Sequence, residues 1–309
     1  MKAKIFLLPA LILSVVVILT ACQKENGNGK DYTNEISTHS DDQSRFASET
    51  DATANDADIV LETTSTFSGR GEQTQSLICD ASVAFDTMSN PRTFTITYNG
   101  TNCIGNRTRT GTVIISMAQG IRWKNAGAAI TITFQNLRIT RLSDNKSITI
   151  NGSQTHTNQS GGLLINLVAL GSITHTVTSS NMSVTFDDGT QRSWQVAKQR
   201  VFTYNNGVVI TSTGTHSDGT LDGIAEWGIN RFGNAFTTSA FMPIVVRQDC
   251  SFRITSGEVR HNTQFVNSSA KFGLDSNGNP TTCPGTGNYY MKITWTGAGG
   301  NTYSTILPY

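Results

Sequence analysis

Three histidines are the side chains of this 309-residue chain most able to do chemistry. His156 and His175 sit in near-identical frames, GSQTHT and GSITHT, nineteen positions apart, and His216 follows in TGTHSDG. Imidazole is a common metal ligand, so two such strands lying side by side would bring ring nitrogens within reach of one ion. The competing expectation is structural. A histidine on an apolar strand face is ordinarily a core residue whose nitrogens find hydrogen-bond partners, and no carboxylate stands at a diagnostic spacing from these three. We therefore expect no metal and no cofactor, with His156, His175 and His216 as the candidates should an ion bind.

The acids of the strand-rich region, Asp187, Asp188, Glu226 and Glu258, are the residue types a glycoside hydrolase pairs across a scissile bond. Pairing is decided in space, and turn or solvated-face positions are the simpler expectation for all four. Asp275, Asn277 and Asn279 imitate the first ligands of an EF-hand loop, but Pro280 stands where that loop needs glycine and its terminal glutamate is missing, so a turn is expected. No nucleophile elbow, His-Glu-x-x-His helix, phosphate-cradling loop or dinucleotide fingerprint occurs, and no catalytic residue is assigned. Of the tryptophans, Trp295 belongs to an alternating apolar face. The stretches NAGAAI and LDGIAEWGINRFGNAF break the strand pattern around Trp123 and Trp227, which makes these two the candidates for ligand contact from a loop.

The elements that would carry these residues are strands. In TFTITYNG, Phe94, Ile96 and Tyr98 share one face with threonines between them, and Tyr289, Met291, Ile293 and Trp295 repeat the pattern in YYMKITWTG. Such alternation belongs to a half-buried antiparallel strand with one wet face. Asn99-Gly100, Asp188-Gly189, Asn206-Gly207 and Asn277-Gly278 read as hairpin turns, with type I′ geometry favoured. In AITITFQNLRIT the apolar parity switches between Phe134 and Leu137, predicting a bulge near Gln135-Asn136. The expected fold is all-β, built of antiparallel hairpin-rich sheets as a sandwich or an extended twisted sheet, over residues 59–309.

Two stretches, around 79–118 and 250–296, share an order: a cysteine, two strand-like runs, Asn-Gly, a second cysteine followed one residue later by glycine, and an alternating strand. This suggests an internal duplication and two related halves. Four cysteines, Cys79, Cys103, Cys250 and Cys283, allow three disulfide connectivities, and the repeated frame favours Cys79–Cys103 with Cys250–Cys283. Zinc is the weaker reading, because no two of them are close enough in sequence to form a metal-binding pair.

The N-terminus explains why paired cysteines are expected at all. Lys2 and Lys4 precede an apolar run from Ile5 to Leu19, the layout of a secretory signal, and it ends in Leu19-Thr20-Ala21-Cys22. These four residues resemble the lipobox of bacterial lipoproteins, which implies removal of residues 1–21 and acylation of Cys22. Several acyl chains on one cysteine anchor a protein lastingly, where a single chain binds only marginally. Gln23-Lys24-Glu25-Asn26 resembles a partial surface-export signal of Bacteroidota lipoproteins, and the absence of aspartate after the cysteine favours the outer membrane. Residues 22–58, rich in Gly, Asn, Ser, Thr and Asp, read as a flexible acidic tether, with a short helix conceivable in its later part. Loss of Lys2 and Lys4 takes 23 basic residues to 21 against 22 acids, a net charge of −1, which gives nucleic acid nothing to hold.

Taken together, the lipobox, the acidic spacer, the threonine-rich hairpins and the paired cysteine frames resemble uncharacterised envelope lipoproteins of the Bacteroidota. The resemblance implies an outer-membrane location, periplasmic or surface-exposed, a partner in the membrane itself, and a glycan or an envelope protein as a further partner. It carries no activity. The expected function is a structural or binding role without catalysis; the alternatives are a polysaccharide hydrolase and a carbohydrate-binding accessory protein.

Overall fold

The computed structural model describes residues 33–68, 78–250, 252–283, 289–297 and 300–309. The signal segment and Cys22 lie outside the described residues.

The first element corrects the tether reading. Residues Thr33–Thr63 form one helix, α1, of 31 residues, followed by a single turn, α2 (Ser65–Ser68). At 1.5 Å per residue α1 is about 46 Å long. No glycine or proline interrupts it, and Glu35 stands in its first turn, where a negative charge suits the helix dipole. Its apolar stripe is Phe46, Ala54, Ala57 and Leu61, with Thr50 and Thr53 on the same face, all buried. Phe46, Leu61 and the neighbouring buried Val60 are its bulky members, and the threonines satisfy themselves by donating back to Phe46 O (2.9 Å) and Glu49 O (2.9 Å). A boundary at residue 59 would cut this helix in two; 33–58 belongs to the folded body.

Fourteen antiparallel strands follow among the described residues, as one sheet. β1 (Ala81–Asp86), β2 (Arg92–Thr101), β3 (Arg107–Met117) and β4 (Ala128–Arg141) pair in sequence. β5 (Ser147–Asn158), β6 (Ser172–Thr185) and β7 (Gln191–Tyr204) continue the meander. Between β7 and β10 (Ala235–Arg247) lie two short strands. β8 (Val208–Gly214) bridges their C-terminal and β9 (Ile224–Ile229) bridges β10's N-terminal half to residues 194–196 of β7. The meander then closes with β11 (Arg253–Thr263), β12 (Asn267–Leu274), β13 (Tyr290–Thr296) and β14 (Thr302–Pro308), and β1 and β14 are its free edges.

The all-β, hairpin-rich class is what the alternation predicts, and the burial follows the predicted parity. Phe94, Ile96 and Tyr98 are buried, as are Tyr289, Met291, Ile293 and Trp295. The parity switch in β4 is a bulge: its register against β5 shifts between Phe134 and Leu137, and Asn136 has φ 51°. The bulge presses its backbone on Gly111, where a Cβ would lie 2.2 Å from Asn136 O, so only glycine fits there. Among the turns, Asn206 (φ 55°) and Gly207 (φ 139°) are both positive, as type I′ requires, whereas at Asp188-Gly189 only the glycine is. Asn99-Gly100 is no turn; β2 runs through it, paired to Thr110 and Arg109.

One face of the sheet meets α1. Because the helix touches strands from β2 to β13, the sheet must curl around it. The stripe of α1 packs with the inner residues of β2–β6 in one dry cluster that also takes in Trp123, Trp194 and Phe236. Ile36, at the start of α1, packs with Val259, Ala270, Phe272, Met291, Ile293 and Trp295 of β11–β13. Both predicted cysteine pairs are disulfides, Cys79–Cys103 and Cys250–Cys283, with Cα–Cα distances of 5.4 and 5.0 Å. Each joins the residue just ahead of a strand pair to the connection leaving that pair.

Candidate functional site

The histidine strands do pair, but they do not assemble a metal centre. His156 on β5 and His175 on β6 lie diagonally, since His156 faces Val177 and His175 faces Asn158. Both are buried. His156 Nε2 meets Gln154 Oε1 at 3.1 Å, and the His175 ring lies 5.0 Å from Trp123 and 4.8 Å from Phe202. Burial pushes their pKa values down, to about 3 for His156, to which the nearby His175 adds, and to about 4 for His175. His216 is far from this pair in the chain and stacks on Trp227 at 4.0 Å. Among the described residues the one group of three metal-type ligands is Asp249, Cys250 and Cys283, and both of its sulfurs belong to a disulfide.

The other candidates also separate. Trp123 is 1 % exposed and sits in the dry cluster, which corrects its assignment to a loop-borne ligand contact. Trp227 keeps partial exposure under His216. Asp187 and Asp188 both reach Arg231, at 2.8 and 3.6 Å. Glu226 is wholly buried, accepting from Trp194 Nε1 (2.9 Å) and Lys198 Nζ (2.6 Å). Glu258 stands on β11 opposite Lys271. Asp187 and Asp188 thus share Arg231, while Glu226 and Glu258 stand by separate lysines. Asp275 accepts the N–H groups of Asn277 and Asn279, both at 2.9 Å, a turn rather than a calcium loop.

What the structure does build is a cavity of about 540 Å³ between α1 and the sheet. Such volumes suit a small organic molecule, for which pockets of roughly 300–1,000 Å³ are usual. One wall is apolar: Phe202 of β7, Ile210 of β8, Ile244 and Val246 of β10, Val259 of β11 and Phe272 of β12. Strand alternation explains it, because these are inward positions, to which the helix answers with only Ala47, Ala52 and Ile59 as apolar side chains. The opposite wall is a face of α1 formed by Ser44, Ser48, Asp51, Asn55, Asp58 and Glu62. Steps of three and four residues put these on one side of a helix, turned away from the Phe46–Leu61 stripe.

The electrostatics of this wall are ordered. Arg200 of β7 meets Asp51, and Arg107 of β3 meets Glu49. Arg109 binds Asp80 (2.6 Å) and Asp56 (2.7 Å), and Asp56 also accepts from Tyr98 Oη at 2.9 Å. Burial lowers Arg200 to about 10, and burial raises Asp56 despite its cationic neighbour. Glu62 accepts the backbone N–H groups of Leu164 (2.6 Å) and Ile165 (3.2 Å). Asp58 is 7 % exposed, and burial, then the nearby Glu62 carboxylate, hold it well above the usual carboxylate range. Among the described residues the wall carries no histidine and no free thiol. An apolar slot with a charged rim of neutralised pairs is equipped to hold an amphiphile.

Sequence reasoning missed this face of α1. The signal was present as the 4-3-4 spacing of Asp51, Asn55, Asp58 and Glu62, inside a segment whose composition reads as a tether. No protein-family model, no curated protein and no solved structure matches the chain.

Proposed function

We propose that this chain is a lipid-anchored envelope protein with a binding role, and that it holds a small amphiphilic molecule in the cavity between α1 and strands β7–β12. The observation that carries the binding role is the cavity itself: about 540 Å³ with a continuous aliphatic and aromatic wall facing a mostly polar helix face. Apolar burial of a ligand body supplies the driving force, at about 25 cal/mol per Å² removed from water. The anchor rests on Leu19-Thr20-Ala21-Cys22 and the signal-like run before it.

This reading is preferred over a polysaccharide hydrolase because Asp187 and Asp188 are neutralised by one shared arginine and Glu226 by Lys198, and over a sugar-stacking platform because Trp123 is buried. Titrating the purified full chain with an environment-sensitive apolar fluorophore should give a saturable single-site curve. A linear, non-saturating response would overturn the binding role, and release of sugars from any glycan would replace it with catalysis. Metabolic palmitate labelling should disappear in Cys22→Ala, and labelling that persists would remove the anchor.

A further inference from the structure

The charged side chains around the cavity do not balance, and the imbalance has a sign. Four cations line it, Arg107, Arg109, Lys198 and Arg200, and every one already holds a carboxylate: Glu49, Asp56 with Asp80, Glu226, and Asp51 respectively. Among the described residues no cation of the lining is left over for an anionic ligand. Among the carboxylates Asp58 is different. It lines the cavity, is more than nine-tenths buried, and among the described residues has no hydrogen-bond donor and no basic partner; its one charged neighbour is Glu62, of the same sign.

A buried carboxyl without a partner is costly, whether ionised and unpaired or protonated with no acceptor. It sits across the space from the apolar sheet wall, and the cations of the lining are already paired with other carboxylates, so the missing partner belongs to whatever fills that space. An anionic head would meet the Glu62 carboxylate and keep Asp58 from ionising, and an uncharged one could at most donate a hydrogen bond without a counter-charge. From this geometry we infer that the cavity selects cationic amphiphiles: the protonated amine of the ligand pairs with Asp58 while its hydrocarbon body lies against Phe202, Ile210, Val246 and Phe272. The inference rests on the cavity being the binding site, as proposed above. Burial and Glu62 hold Asp58 toward its neutral form in the empty site, and an ammonium group in contact would favour the ionised one.

Calorimetric titration of the full chain, freed of detergent, with decylamine, decanol and decanoate below their aggregation concentrations separates the possibilities. The amine should bind at least about tenfold more tightly than the alcohol, the increment of a charge-assisted contact, and the acid more weakly than either. In Asp58→Asn, an isosteric change whose fold is checked by circular dichroism, the amine should lose that advantage while decanol binds as before. Equal affinities for amine and alcohol in the unaltered chain, or tightest binding of decanoate, would overturn the charge selection and leave the cavity reading intact. Failure of all three to bind would instead overturn the cavity reading itself. If Asp58→Asn does not fold, the three-ligand comparison in the unaltered chain still decides.

Discussion

The two sides of α1 meet the same curled sheet and are solved differently. Toward β2–β6, Phe46, Ala54, Ala57 and Leu61 interdigitate with Ile96, Val113, Ile132 and Ile150, and the interface is dry. Toward β7–β12 the strands offer equally apolar inner residues, but past Ile36 the helix answers mainly with Asp51, Asn55, Asp58 and Glu62, and with only Ala47, Ala52 and Ile59 as apolar side chains. Close packing needs apolar side chains from both partners. With the helix supplying few of them, space remains, and one helix serves as core on one side and as half of a binding wall on the other.

The strongest way to break this contrast is to truncate a large side chain on each side. Phe46→Ala should cost about 3–5 kcal/mol, because the dry cluster cannot collapse into the hole. Phe272→Ala, at the edge of existing space, should cost only the transfer term, about 1.5–3 kcal/mol. Urea melts of both variants give the comparison, and equal losses would mean that the two sides are packed alike.

Next come the staples, one near each end of the sheet. The Cys79–Cys103 and Cys250–Cys283 loops span 24 and 33 residues. On the chain-entropy account each bridge contributes about 3 kcal/mol, so replacing either pair by serine should lower stability by similar amounts. Melts of the two double variants, beside each protein with and without reductant, test this.

Graded acidification sharpens the contrast further. His156 and His175 in the dry half, and His39 and His261 beside the start of the other, are all buried with pKa values pushed below 6.5, to about 3 for His156 and about 4 for His175 and His261. The unfolded chain takes up protons below about pH 6.5 that the folded chain refuses until about pH 3–4, so stability should fall progressively across that window as pH drops. Asp58 acts with the opposite sign. Its folded pKa is raised above 3.8, so its contribution is full below that value and is lost as pH rises through the folded pKa. Asp58→Asn should therefore be more stable than the unaltered chain at pH 8 and converge with it near pH 4; melts at the two pH values read this directly, and an unchanged difference would deny Asp58 its buried, unpaired state.

How much of this was legible depends on how local the cause is. The strand faces of Phe94, Ile96 and Tyr98, the bulge before Leu137 and the cysteine frames are written in spacings of a few residues, and each emerged as read. Asn99-Gly100 misled because a turn dipeptide also fits an extended strand when the next residues supply the turn; Asn102 and Gly105 do so here. Trp123 misled because a glycine-rich neighbourhood marks a loop without saying on which side of it a side chain is buried. The preferred reading of His156 and His175 as core residues matches their burial, and their strands are neighbours with the two histidines set diagonally.

The amino-acid order by itself determined the alternation that makes a threonine-studded antiparallel sheet, the positions of its bulge and staples, and an N-terminus resembling a lipid-attachment signal. Only the tertiary structure decided that an acidic, weakly apolar segment becomes a central helix. Its carboxylates are stable there because arginines as distant in sequence as Arg109, Arg141 and Arg200 on strands and Arg231 in the β9–β10 turn close around it, and a charge pair formed across the fold leaves no local pattern. The cavity has the same origin: it exists where the curling sheet meets the helix face whose side chains are mostly polar.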